Sequence, residues 1–181
     1  MITKRSIPNQ TLEAPINQSH YAIGARYRFG LGAASSVALG LDYVRRHYIA
    51  DRSRLMTVVL DAPDVDYTAV APGIAGRTPV TDTITAFAGL DGMLMLETGQ
   101  IQDTASYGPA TVYGVELAGG VDIAVARQIG LRIAFEYSQI NFSFKNKGTQ
   151  SNNRDQDPTS QDVMGAVDRS IGLSATLGLV Y

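Results

Sequence analysis

The sequence predicts an all-β fold, an antiparallel up-and-down transmembrane β-barrel of eight strands. Three observations predict it. Side-chain character alternates with a period of two along most of the chain, which sorts residues onto the two faces of a strand and which a helix does not produce. The connections between alternating segments are short at one end and long and polar at the other. Only three lysines occur in 181 residues, Lys4, Lys145 and Lys147. A soluble sheet normally carries lysines on exposed faces and edges as protection against aggregation, so their scarcity implies outer faces that do not meet water.

The length fits one domain with material for a full core or a closed barrel. A hydrophobic share of 45% belongs to a folded chain. The formal net charge of −2 excludes the concentrated basic surface of a general nucleic-acid binder. With no cysteine, disulfide frameworks and thiolate zinc sites are excluded. Residues 1–18 are polar, carry Pro8 and Pro15, and read as an extension, linker or docking strand. They lack the apolar centre of a secretory signal, and no apolar run reaches the ~18 residues of a transmembrane helix. A membrane location therefore expects a leader already removed, or a chain that is a piece of a longer one. The barrel domain is expected over residues 19–181.

Taken in order, the first strand sets Tyr21, Ile23, Ala25, Tyr27, Phe29 and Leu31 against Ala22, Gly24, Arg26, Arg28 and Gly30. The second sets Val37, Leu39, Leu41 and Tyr43 against Ala38, Gly40 and Asp42. Between Asp51 and Asp82 the pattern blurs. Arg54–Asp61 and Val65–Ala71 read as two short strands around a turn, with Pro72, Gly73, Gly76 and Pro79 in a loop. Read so, the barrel has eight strands, the even number an antiparallel single-chain barrel needs. Read as one irregular strand, the stretch leaves seven, and the chain would be the C-terminal part of something larger. The first reading is favoured.

The next strand places Ile84, Ala86, Ala88, Leu90, Leu94 and Leu96 opposite Thr85, Phe87, Gly89, Asp91 and Glu97. The hairpin over Thr111–Ser138 alternates on both arms around a minimal turn at Arg127–Gln128. The last strand presents Ile171, Leu173, Ala175, Leu177, Leu179 and Tyr181 on one face and mostly Gly, Ser and Thr on the other. Gly99–Pro109 and Lys145–Gln161 are long loops, the second with the composition of a solvated, mobile segment.

A water-soluble ligand-binding barrel alternates too, with its apolar face inside. Two features favour the opposite sense. The polar face is mostly Gly, Ala, Ser and Thr with single charges, suited to a lumen that only just holds side chains. The apolar face runs without interruption through whole strands. Ile171–Tyr181 spans about 36 Å at ~3.3 Å per residue, and a tilt of ~40–45° gives around 26 Å of membrane normal, close to the ~25 Å apolar band of such barrels. Tyr113, Tyr137 and Tyr181 end their apolar runs, where phenol rings suit the lipid–water interface.

The terminal strand, Ser170-Ile-Gly-Leu-Ser-Ala-Thr-Leu-Gly-Leu-Val-Tyr181, resembles the C-terminal β-signal of bacterial outer-membrane barrels. The pattern from Ser19 to Tyr181 is similar to the small OmpA/OmpX-type barrels. The resemblance implies an outer-membrane location, recognition by the barrel-assembly machinery, and Tyr181 as the native C-terminus. It names an architecture and no activity.

The expected lumen charges are Arg26, Arg28, Asp42, Asp91, Glu97, Glu116, Asp122, Arg132, Glu136 and Asp168. Isolated charges in a narrow interior are costly unless paired, so a salt-bridge network filling the lumen is expected ahead of a cation-favouring pathway. Arg45, Arg46 and His47 read as a basic collar for lipid phosphates or lipopolysaccharide. Hydrolysis would need His20 or His47 as base, and Ser35 and Ser36 have no evident partner; no enzyme activity is expected. Asp155, Asp157 and Asp162 with Asn152 and Asn153, and likewise Asp61, Asp64 and Asp66, lack the spacing of a calcium loop. No metal or cofactor is expected, and function falls to loops or to contacts with an envelope partner.

Overall fold

Apolar and aromatic residues at every second position, with Gly and Ala between them, hold most of the chain extended. In the computed structural model the described residues are 2–7, 10–32, 34–51, 64–145, 147–152, 159 and 162–179. They form β1 (Ile2–Ile7), β2 (Gln10–Leu31), β3 (Ser35–Ala50), β4 (Val65–Pro79), β5 (Ile84–Glu97), β6 (Ala110–Ala126), β7 (Ile129–Phe144) and β8 (Gly165–Leu179). The only helical pieces among them are a 3-10 turn at Gly99–Gln102 and a single turn at Thr149–Asn152.

Each strand pairs antiparallel with the next. From β2 to β8 this gives one up-and-down sheet of seven strands, while β1 pairs only with the first part of β2, from Ile2 opposite Pro15 to Ile7 opposite Gln10. Two rungs show how the alternation is used. One links Tyr27, Leu39, Ile74, Leu90, Leu117, Tyr137 and Ile171 across all seven strands. The adjacent rung links Arg28, Ala38, Ala75, Gly89, Ala118, Glu136 and Gly172. A single register slip would exchange these two sets between faces.

The sheet curls around the second set. A cavity of about 450 Å³ is lined from β2 to β7 by residues of that face, including Arg28, Ala38, Gly89 and Glu136. The curl is staggered: Gly172, the β8 end of the inner rung, shares a small pocket with Gln18 and His20 of β2, well towards the start of the strand from Arg28, where the rung began. Such stagger is what curling a sheet towards a barrel requires. Yet no described residue of β2 pairs with β8, so the sheet remains open along one seam.

Several expectations are corrected here. The closed eight-stranded barrel is replaced by the open seven-stranded sheet. Of the two short strands proposed after Asp51, Arg54–Asp61 lies outside the described residues, and Val65–Ala71 belongs to a strand continuing to Pro79. Pro72 is accommodated because the β4–β5 pairing lapses between Val70 and Gly73, so its missing N–H forfeits no bond there. β2 runs without a break through residue 18, from Gln10 to Leu31.

The turns explain the tight end of the sheet. Gly32 sits at φ +82° between β2 and β3, a left-handed conformation that favours glycine. Arg127–Gln128 joins β6 to β7, with a bulge between Ala124 and Ala126 absorbing the extra residue. At the opposite end the inward residues become large and apolar. Val44, Tyr67, Ala69, Ala71, Met93, Ile140, Phe142 and Phe144 form a buried cluster capped by Ile101 from the 3-10 turn. The loop expected to be mobile is docked over this cluster where it is described. Thr149 and Gln150 donate backbone N–H groups to the carbonyls of Thr104 and Ser106, and the fully buried Ser151 donates its hydroxyl to the carbonyl of Tyr107.

Candidate functional site

The concave face carries a ladder of ion pairs and hydrogen bonds drawn from all seven strands, β2 to β8. Nearest the tight turns, Asp122 of β6 accepts from both Nε and Nη2 of Arg132 on the paired strand β7, at 2.7 and 3.0 Å. Arg77 of β4 reaches the same carboxylate at 3.0 Å, and the Arg132 guanidinium lies 4.7 Å over the Phe87 ring. Midway along, Arg26 of β2 donates to Asp42 of β3 at 2.7 Å and to Asp91 of β5 at 3.1 Å. Towards the loops, Arg46 of β3 donates to Glu116 at 2.7 Å and to the Ser138 hydroxyl at 2.8 Å. Highest, the Tyr67 hydroxyl donates to Asp168 of β8 at 2.9 Å.

Glycines make room for the middle rung of this ladder. A Cβ on Gly73 would overlap the Asp91 carboxylate, one on Gly24 would overlap Asp42, and one on Gly40 would meet the Arg26 stem. Each glycine lies directly across the strand from the side chain it accommodates. Gly73→Ala should therefore push Asp91 off Arg26 and lower stability by about 1–3 kcal/mol, the cost of a broken buried polar contact. Urea unfolding measures it, with Gly76→Ala as the control, because a Cβ there meets nothing within 4 Å.

Of the expected lumen charges, Arg26, Asp42, Asp91, Glu116, Asp122, Arg132 and Asp168 join this ladder. Arg28 and Glu136 line the cavity, but neither has an ion-pair or hydrogen-bond partner among the described residues. Glu97 does not belong to the lumen. The sheet register slips by one residue between Thr68 and Ala69, which sets Glu97 opposite Thr68 and into a separate groove with Asp66 and Gln102.

Sequence reasoning missed four members of the ladder: Arg46, Arg77, Tyr67 and Ser138. Arg46 is 5% exposed, and the even-numbered face Ala38, Gly40, Asp42, Val44 already pointed to it. Arg77 lay hidden because its segment read as a loop. The expected collar therefore splits by parity. Arg46 turns inward, while Arg45 and His47 stay outside with Asp66, whose carboxylate accepts from Arg45 at 2.6 and 3.0 Å and lies 3.3 Å from His47 Nδ1.

A second outward polar cluster stands at the same loop-side height on β7 and β8. The Tyr137 hydroxyl donates to Gln139 at 2.6 Å, Arg169 donates to the same oxygen at 3.0 Å, and Gln139 donates to Asn141 at 2.8 Å. Tyr113 stands exposed nearby on β6, and Tyr181 lies outside the described residues. Asn153, Asp155 and Asp157 also lie outside them. Among the described residues no group of three or more His, Asp or Glu side chains is placed to hold a metal ion.

The decisive contrast is between the two faces. The convex face exposes Ile23, Leu39, Leu117, Leu173 and Leu177, with Ile23 at 72% and Leu173 at 80%. The concave face holds the ion-pair ladder. Compared with protein-family models, curated proteins and solved structures, the chain matches none. The functional reading therefore rests on this geometry.

Proposed function

We propose that the chain is the wall of a bacterial outer-membrane β-barrel, its convex face in lipid and its ion-paired face inward. It serves a structural, adhesive or partner-docking role through its loop-side end and has no catalytic role. The observation that carries this reading is the outward rung from Tyr27 to Ile171, apolar or aromatic on every strand. Large contiguous apolar surface on a soluble monomer is rare, and here it lies along the outward rows while the ion-pair ladder lies inside. No described helix is long and apolar enough to cross a membrane, which bears only on helices. The outward clusters of Arg45, His47 and Asp66 and of Gln139, Asn141 and Arg169 sit where lipid phosphates or lipopolysaccharide would meet the loop-side border. The apolar–small alternation of β8 supports recognition by the assembly machinery.

A solvatochromic label tests the reading. On Leu173→Cys it should shift to the blue on addition of phosphatidylcholine vesicles, and on Ser174→Cys, one residue along and facing inward, it should shift far less. Solubility without detergent, together with equal spectra at both positions, would overturn the proposal and move the apolar face into water.

A channel is the rival reading, and the apolar cluster around Tyr67, Phe142 and Ile101 speaks against it, since buried apolar side chains fill the loop-side interior. Planar-bilayer recordings of the refolded protein are expected to show no discrete conductance. Steady single-channel steps would favour the pathway instead.

A further inference from the structure

Among the described residues the seam between β2 and β8 is unpaired. We infer that it is a docking site for one further β-strand, antiparallel to both edges and contributed by polypeptide outside these 181 residues. The inference deepens the barrel reading above and rests on the inward sense of the charged face.

Three observations select this occupant. The first is direction. An up-and-down sheet of seven strands leaves its two edge strands, β2 and β8, running the same way. Direct closure would pair them parallel in an otherwise antiparallel wall. A second copy with the same membrane orientation would likewise meet either edge in parallel. A single strand running the other way satisfies both rows of backbone groups at once. β1 already shows this sense of pairing on β2, antiparallel at Gln10–Pro15.

The second observation is proximity. Gln18 and His20 of β2 share one pocket with Ser170 and Gly172 of β8, so a single pocket spans the gap between the edges. The lumen side of that gap is lined by small residues of β8, Ser170, Gly172 and Ser174, which leaves room for inward side chains of an incoming strand.

The third is charge. Arg28 and Glu136 are the two charged side chains on the inner rung, and neither has an ion-pair partner among the described residues. Arg28 lies on the β2 edge towards the tight turns, and Glu136 lies beside the loop-side pocket with His20. An incoming strand runs from the tight-turn end to the loop end, opposite to β2. Its chemistry follows: apolar residues outward, small residues inward, an inward acid in its first half to meet Arg28, and an inward base in its second half to meet Glu136.

The test uses the full chain, in detergent where it needs detergent and in buffer where it does not, so its outcome is separate from that of the membrane reading. The probe is a synthetic peptide of about fifteen residues, enough to cover Asn17–Leu31. It alternates Leu or Val with Gly, Ser or Ala and carries one inward Glu early and one inward Lys late. Amide hydrogen exchange is read by NMR. The expected result is at least tenfold slower exchange at alternate amides of both β2 and β8, with less protection from a peptide in which Glu and Lys are exchanged. Protection of neither edge, or of one edge only, overturns the inference. So does concentration-dependent protection of β2 without peptide, which would mean self-pairing. The absence of native cysteine allows a second measurement. Ser19→Cys/Ile171→Cys should form no disulfide when oxidised alone, because the Cα separation needed is about 4.4–6.8 Å. Ready disulfide formation would show the edges already in contact and would overturn it.

Discussion

Leu173→Arg is expected to destabilise the protein by about 2–4 kcal/mol in a phosphatidylcholine bilayer, the cost of arginine at the midplane of a barrel's lipid face. Leu173 stands mid-way along the outward row of β8, between Val167 and Leu179, and is 80% exposed. In water, replacing so exposed a leucine with arginine removes an apolar liability and costs almost nothing. The same substitution thus has two outcomes set only by the solvent on the convex face. Urea unfolding from vesicles, followed by circular dichroism, separates them. Val167→Arg, nearer the border of the apolar band, should cost only about 0–1 kcal/mol under the same conditions. Equal stability of Leu173→Arg and the parent protein would show that the face is hydrated.

Arg46→Ala is the second substitution with a large expected effect. Arg46 is buried and donates to Glu116 and Ser138. Its removal leaves the Glu116 carboxylate without its cation inside the curl, and breaking a buried pair from one side costs about 3–5 kcal/mol. Glu116 retains some solvent exposure, which places the effect near the lower figure. The double variant Arg46→Met/Glu116→Leu should recover most of the loss, because an apolar pair of similar volume removes both desolvated charges together. Arg45→Ala, one residue away and outward, should be close to neutral because its pair with Asp66 is exposed to solvent. The same unfolding measurement serves all three. Equal effects at residues 45 and 46 would contradict the parity that places them on opposite faces.

Much of this was legible in β3, β6, β7 and β8. Where Leu117 alternates with Ala118 and Leu173 with Ser174, a period of two states which residues share a face, and cross-strand neighbours follow from the turn at Arg127–Gln128. The pairs Asp122–Arg132 and Asp42–Arg26 were within reach for that reason, since their members are directly or nearly opposite on adjacent strands. The reading failed where alternation was interrupted. Pro72, Gly73, Gly76 and Pro79 imitate a loop, and nothing local reveals that the neighbouring ladder lapses at Pro72 and spares it. Parity alone puts Glu97 in the lumen, but the register slip at Thr68 moves it outside.

The all-β class, the sorting of each strand into an apolar and a small-polar face, and the tight-turn and long-loop ends are legible in the order of residues alone. These depend on side-chain order within one strand or one hairpin. That β2 to β8 make one sheet of seven strands, that Arg46 meets Glu116 and Ser138 from non-neighbouring strands, that Tyr67, Phe142 and Ile101 share one buried cluster, and that no described residue of β2 pairs with β8 emerge only in the folded sheet. Each of these depends on how far the sheet curls and how its strands are staggered. Curl and stagger sum small twists and register slips over the whole sheet, and no single segment of the chain encodes that sum.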